Sequence, residues 1–240
     1  MNQITTQFSQ LRLSGMGRIW QTLLETKKVN ELSLTDGLEI LLQAEQEERK
    51  NKRFERLYKN AKFRYRASIE EIDYNHERGI NKSLITSLAT CDYIEKGEAV
   101  LVTGATGCGK SFIATAMGHQ ACAQGKSVAY FNTHKLMVRI KMSRLDGSIL
   151  KFFDKLAKTS LLILDDFGLT NLEKQQQFDL MEIIEDRHGR LATIIASQLP
   201  VHSWYDVIGE ATIADAILDR LVHSSHRIEL KGDTLRKKKK

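Results

Sequence analysis

Apolar positions recur along the chain in two rhythms. Near the start, Phe8, Leu11, Met16, Ile19, Leu23 and Leu24 fall three to four residues apart, which predicts an amphipathic helix over residues 7–28. A second helix is expected from about Ser33, where Ser33 and Asp36 resemble a capping box. It should bury Leu34, Leu38, Leu41 and Leu42, then turn strongly charged through Arg66. After SIEEIDY (68–74) the rhythm changes. Short β-branched apolar runs, AVLVT (99–103), SVAYFN (127–132), LLILD (161–165), ATIIAS (192–197) and HRIEL (226–230), alternate with helical stretches. Near-continuous apolarity marks strands covered on both faces, since a strand with one wet face alternates instead. The pattern predicts an α/β domain over 67–240, with a five-stranded, mostly parallel sheet flanked by helices. A small all-α domain should precede it over 1–66. The stretch HKLMVRIKMSRLDGSILKFFDKLAK (134–158) is long enough for two helices, and ATIADAILDRLVH (211–223) reads as one more.

Composition narrows the class. With 240 residues, 42% hydrophobic and 28% charged, the chain can bury a real core. No apolar run approaches the roughly 18 to 20 residues of a membrane-spanning helix. The opening MNQITTQFSQLRLSG lacks the basic-then-apolar pattern of a signal peptide, so a cytoplasmic protein is expected. Cys91, Cys108 and Cys122 are odd in number and without CxxC spacing, which indicates neither a disulfide framework nor a zinc site. The charge is unevenly spread. Residues 49–66 carry +8 and the terminal RKKKK (236–240) carries +5, which leaves the rest of a chain of net charge +6 at −7. Such concentration suggests a polyanionic partner; a solvated helix face and a loose tail are the plainer alternative.

Between the first apolar run and a helical stretch stands GATGCGKS, a full match to GxxxxGK[ST]. Glycines let the backbone curl so that successive N–H groups point at phosphate oxygens, and the following helix adds its positive end. The binding segment is Gly104, Ala105, Thr106, Gly107, Cys108, Gly109, Lys110, Ser111 and Phe112. Lys110 can reach the β and γ phosphates of ATP, and the Ser111 hydroxyl suits Mg²⁺. Cys108 reads as a tolerated small residue. LLILDDFG places Asp165 and Asp166 at a strand end, Asp165 suited to the Mg²⁺ shell and Asp166 to a general base or water-orienting role. In ATIIASQLP, Ser197 or Gln198 could meet the γ phosphate if that strand neighbours the phosphate-loop strand; an ordinary strand-to-loop passage is the alternative. Arg220, near the end of the 211–223 helix, suits a finger reaching a neighbouring subunit's γ phosphate, or else a surface ion pair. Arg187 and Arg190 are weaker candidates for the same role.

With these pieces in place the chain resembles an AAA+ ATPase of the helicase-loader and initiator branch, and more narrowly the IstB-like transposition helper ATPases. The resemblance rests on LRLSGMGRIW, ERKNKRFERLYKNAKFRYR, the segment from SIEEIDY through GATGCGKS, LLILDDFG, and most diagnostically ASQLPVHSWYDVIGEATIADAILDRLVHSSHRIEL. It implies a P-loop AAA+ fold, a partner transposase from the same mobile element, ATP-dependent and largely sequence-independent binding of duplex DNA, and homo-oligomers in a ring or spiral. On this chain it implies Gly104 to Ser111 as the nucleotide site, Asp165 and Asp166 as metal and water acids, Ser197 as sensor and Arg220 as trans arginine. Where the wider AAA+ pattern has Glu, this chain has Asp166, one methylene shorter, which implies slow, switch-like hydrolysis. The chain ends soon after the fifth strand, so a helical lid is not expected.

Initiator-type relatives insert an extra helix after the second strand. Here that region offers Lys135, Arg139, Lys141 and Arg144 as a basic strip for a phosphate backbone. The earlier cluster adds Arg53, Arg56, Lys59, Lys62, Arg64 and Arg66. The interleaved Phe54, Tyr58, Phe63 and Tyr65 either touch DNA or pack the small domain. A DnaC-type replicative helicase loader is the rival function. A small-molecule kinase is a third, but it leaves both basic clusters unexplained.

Overall fold

The computed structural model describes residues 3–74, 78–232 and 234; the terminal RKKKK lies outside them. Each apolar run of the second rhythm forms a strand: β1 (Ala99–Gly104), β2 (Val128–Asn132), β3 (Leu161–Phe167), β4 (Ala192–Ser197) and β5 (Ser225–Leu230). Their order is β2-β3-β4-β1-β5 and every neighbouring pair is parallel. β1, which leads into the glycine-rich loop, therefore lies between β4 and β5. That meets the condition on which a polar group at the end of β4 could face the loop.

Before β1 come α4 (Lys82–Ala89) and α5 (Asp92–Glu95), and between the strands run α6 (Lys110–Ala123), α7 (Thr133–Leu145), α8 (Ile149–Ala157), α9 (Lys174–Arg187), α10 (Trp204–Ile208) and α11 (Ala211–Val222). The expected pair of helices over 134–158 is present as α7 and α8. Leu101, Leu162, Leu164 and Ile195 point to one face of the sheet and pack with Leu136, Ile140, Phe153, Leu180, Ile184 and Ile217 from α7, α8, α9 and α11. Residues of opposite parity point to the other face, where Ile163 meets α6 at Gly118. Both faces are covered, which is why these strands read as unbroken apolar runs.

The first rhythm forms α1 (Gln3–Gln10), α2 (Ser14–Glu25) and α3 (Leu34–Ala61). The single helix expected over 7–28 is broken after Gln10. Arg12 adopts φ +57°, its N–H bonds the Ser9 carbonyl at 3.1 Å and the Leu13 N–H bonds that of Phe8 at 2.8 Å. This paired-bond helix stop usually takes glycine, so an arginine there left no signal. The chain divides into two compact units, Met1–Arg56 and Leu57–Lys240. The division cuts α3 and falls before the boundary expected after residue 66, because Tyr58, Phe63 and Tyr65 make ring contacts within the second unit.

In the first unit, Gly15 is where α2 meets α3: a Cβ there would lie 2.7 Å from Glu45 Cα. The Glu45 carboxylate accepts the Gly15 N–H at 2.8 Å and so caps α2 from a different helix. Burial alone would raise its pKa; bonds from Arg49, Gly15 and Met16 outweigh that and hold it below the ordinary carboxylate value. Ser33 starts α3, accepting the Asp36 N–H at 3.2 Å and donating to its carboxylate at 2.6 Å. The expected burial of that helix is corrected, however. Leu41 is buried, whereas Leu34, Leu38 and Leu42 are 86%, 54% and 48% exposed. They form an i, i+4, i+8 stripe on a side where no other described element of that unit covers them.

Candidate functional site

The glycine-rich loop leaves the carboxyl end of β1 and enters α6. Gly104, Gly107 and Gly109 have φ of +144°, +83° and +101°, conformations that side chains with a Cβ rarely adopt. Space forbids a Cβ too: at Gly104 it would overlap the Leu230 carbonyl and at Gly107 it would overlap Thr234. Lys110 is buried, and its ammonium donates to the Ala105 carbonyl at 2.8 Å within the loop. Cys108 is buried among loop atoms, in keeping with a tolerated small residue. Phe112 stacks on Tyr65, with ring centres 6.5 Å apart.

The two acids stand at the end of β3, which β4 separates from β1. Ser111 Oγ donates to Asp165 Oδ1 at 2.9 Å, joining residues 54 positions apart. Asp165 is 1% exposed; its other oxygen accepts the Tyr130 hydroxyl, and its backbone carbonyl accepts Thr133 Oγ1 at 3.0 Å. Burial, and then the carboxylate beside it, push the Tyr130 hydroxyl well above the ordinary tyrosine pKa, so it stays a donor. Ser111 and Asp165 together present hard oxygens at one point, a donor set that fits Mg²⁺. Asp166 sits in a bulge: β3 and β4 pair at Leu164 with Ile195 and next at Phe167 with Ser197, so two residues oppose one. Its φ of +57° is unusual for aspartate, and the turned side chain accepts Asn132 Nδ2 at 2.9 Å. Asn132 also accepts the Lys135 N–H at 3.3 Å and so starts α7.

At the end of β4 the two candidates, Ser197 and Gln198, make different contacts. Ser197 is fully buried, donates to the Phe167 carbonyl at 2.7 Å and accepts the Leu199 N–H at 3.1 Å; it ties β4 to β3. Gln198, on the opposite side of the chain, accepts Thr106 Oγ1 at 2.6 Å and is the one facing the phosphate loop. Sequence reasoning missed Asn132 and two further neighbours. Tyr130 gave no signal beyond its place in a strand. Arg78 donates to the Cys108 carbonyl at 2.5 Å while its own carbonyl accepts the Lys231 N–H at 2.9 Å, and no motif marks it.

The arginines lie at the other edge of the sheet. Arg220 lines a small crevice with Gly97, Ala99, Leu191 and Thr193, where β1 and β4 begin. At about 3.3 Å per residue, the length of β1 puts it roughly 17 Å or more from its own phosphate loop. Its guanidinium pairs with Glu185 and donates to the Ala216 carbonyl at 2.8 Å, and the side chain is still 26% exposed. Arg187 is removed as a finger candidate. It is 2% exposed and bonds the carbonyls of Leu156 (2.6 Å) and Thr159 (2.8 Å), that of Ala192, and Thr193 Oγ1 at 3.1 Å. Burial lowers its pKa to about 10. Arg190 is exposed.

Residues 6–240 match the family described as IstB-like ATP binding protein. The chain belongs to that family. It is 40% identical over 231 residues to y4pL of Sinorhizobium fredii, described as an insertion sequence ATP-binding protein, covering 96% of this chain and 94% of the relative. It is 42% identical over 196 residues to the ATP-binding protein of insertion sequence IS1162 from Pseudomonas fluorescens, covering 81% and 85%. Among solved structures, the DnaC helicase loader superposes with a TM-score of 0.53 at 22% identity over 72% of this chain and 98% of the loader, a likeness of fold.

In this IstB-like chain the basic residues divide by what they touch. Arg53, Arg56, Lys59, Lys62, Arg64 and Arg66 are all exposed. Three of the aromatics among them pack: Tyr58 against Phe63 and His119, Phe63 over Gly118 and against Tyr130, and Tyr65 on Phe112. On α7, Lys135, Arg139 and Lys141 are exposed. Arg144 departs from the strip, because it reaches Asp179, which is 4% exposed. Among the described residues no helix is long and apolar enough to cross a membrane.

Proposed function

We propose that this insertion-sequence helper is an ATPase that multimerises on duplex DNA without strong sequence preference and assists or regulates the transposase of the same mobile element inside the cell. One observation carries the reading: a phosphate loop, acids and Gln198 share one edge of the sheet, while the partly exposed Arg220 lies at the other. Arg220 cannot serve its own site, so it would complete the site of a second copy. Lys110 would hold the β and γ phosphates of ATP, and Ser111 and Asp165 would hold Mg²⁺. Bound there, Mg²⁺ would supply Lewis-acid stabilisation of charge on the phosphoryl oxygens. Asp166, fixed by Asn132, would orient a water, Gln198 would sense the γ phosphate, and Arg220 from a neighbour would offset charge in the transition state. Asn132 also begins α7, whose Lys135, Arg139 and Lys141 would follow a phosphate backbone. That shared residue supports a link between fuel and DNA.

The test is DNA affinity measured with ATP, with ADP and without nucleotide, alongside hydrolysis with and without duplex. ATP and DNA should each strengthen the other's binding, and Lys110→Ala should abolish the effect. Equal DNA affinity in all three nucleotide conditions would remove the reading. The likeness to the DnaC loader is one of fold, whereas the insertion-sequence relatives favour transposition over helicase loading.

A further inference from the structure

A loop that turns its backbone N–H groups inward turns carbonyls outward, and buried carbonyls need donors of their own. Gly107 and Gly109 have positive φ and Cys108 between them does not, the alternation that makes successive N–H groups converge on one point. The peptide joining Cys108 to Gly109 is trans, so its C=O and its N–H point in opposite directions. Cys108 is 1% exposed, and its carbonyl accepts Arg78 Nη2 at 2.5 Å from 30 positions earlier in the chain. The other guanidinium nitrogen, Nη1, stands 3.6 Å from the Asp73 carboxylate. One planar fork therefore ties the loop to the segment that precedes it.

A guanidinium is a demanding way to satisfy one carbonyl. The Arg78 side chain is 12% exposed, whereas Asp73 is 59% exposed, so water weakens the acid's hold on the cation. Lys110 adds a second buried cation to the same loop. Like charges around one turn disfavour each other, and an anion held by the loop stabilises both. Arg78 also grips the Cys108–Gly109 peptide by its oxygen. A cation at that end polarises the unit and makes the Gly109 N–H at the opposite end a stronger donor. The influence passes through the peptide plane and needs no contact between Arg78 and a phosphate.

We propose that Arg78 is a positioning residue for the nucleotide: it fixes and polarises the Cys108–Gly109 peptide so that the Gly109 N–H binds a phosphate oxygen more tightly. This rests on the reading that the loop holds ATP, and it names a residue outside the motif that sets how tightly. The segment does not depend on this side chain alone. The Arg78 carbonyl accepts the Lys231 N–H at 2.9 Å, a backbone bond that a changed side chain leaves in place.

The experiment measures the affinity of full-length protein for ATP and for ADP by displacement of a fluorescent ADP, and hydrolysis over a range of ATP concentrations. Arg78→Met keeps the length and removes the charge, and Arg78→Lys keeps the charge. Arg78→Met should weaken ATP and ADP alike, by about tenfold each, the scale of a hydrogen bond to a charged group. The ATP concentration for half-maximal rate should rise by the same factor while the rate at saturation stays within about threefold, because a contact made equally in ground and transition states is lost. Arg78→Lys should recover affinity to within about threefold of wild type. Binding by Arg78→Met within twofold of wild type overturns the proposal. A loss confined to ATP also overturns it, since Arg78 would then meet the γ phosphate itself. A loss that Arg78→Lys does not relieve, with both variants melting at lower temperature, makes the side chain a packing element and overturns it too. Wild type that binds neither nucleotide overturns the ATP reading of the loop, a separate result from these.

Discussion

The two edges of the sheet hold the same kinds of side chain in opposite condition. At the carboxyl edge, Lys110, Ser111, Asp165, Asp166 and Gln198 are satisfied by one another, by the loop, or by Tyr130 and Asn132, through bonds such as Ser111 to Asp165 and Thr106 to Gln198. Each of those bonds can be exchanged for one to a phosphate oxygen or a cation without leaving a buried group unpaired. At the amino edge, Arg187 is locked by carbonyls in a buried setting, while Arg220 is held by one exposed acid and one carbonyl and can leave. Burial and the identity of the partners, not residue type, separate a structural arginine from one available to act.

That contrast can be broken most forcefully at Arg220. Arg220→Ala should lower DNA-stimulated hydrolysis about a thousandfold with ATP affinity unchanged, the scale of a trans arginine. Mixing it with Lys110→Ala, itself inactive, should restore part of the rate, because each variant supplies what the other lacks. A loss of less than about twofold would return Arg220 to a mere surface pair, which is worth under about 1 kcal/mol.

Arg187→Met tests the other half. It strands the carbonyls of Leu156 and Thr159 and should remove about 3 kcal/mol of stability, read by denaturant unfolding, while hydrolysis per folded molecule stays near wild type. A fall in activity without a fall in stability would place it in the reaction instead.

Gln198→Ala should cut hydrolysis roughly a hundredfold, the usual loss of a preorganised polar contact to developing charge. Ser197→Ala sharpens the comparison: it should instead weaken the join of β3 to β4 by about 1 kcal/mol, measured as stability. If the two outcomes were exchanged, the assignment of these neighbours would reverse. Smallest is Tyr130→Phe, which leaves one Asp165 oxygen without its donor. It should raise the Mg²⁺ concentration for half-maximal activity about tenfold, equivalent to one hydrogen bond to a charged group.

Much of this was legible beforehand, for local reasons. Five apolar runs gave five strands, since strands buried on both sides need continuous apolarity. The loop glycines stand where positive φ and close backbone approach demand them. Leu34, Leu38 and Leu42 show where periodicity stops informing: it marks one side of a helix as apolar without saying whether anything covers it. Arg12 and Lys62 take left-handed conformations that composition does not announce, so the first helix break was missed.

The chain's own order of residues determined the sheet, the phosphate loop and the pair of acids, because spacing and steric demand act over a few neighbouring positions. Only the tertiary structure decided that Gln198 rather than Ser197 faces the loop, that Tyr130 and Asn132 hold the two acids, that Arg144 is taken up by Asp179, and that Arg220 stands at the far edge. Those outcomes depend on strand order, on a bulge that turns Asp166, and on which carbonyls or carboxylates arrive from distant segments. Such meetings are set by how the elements pack, and no short stretch of sequence encodes them.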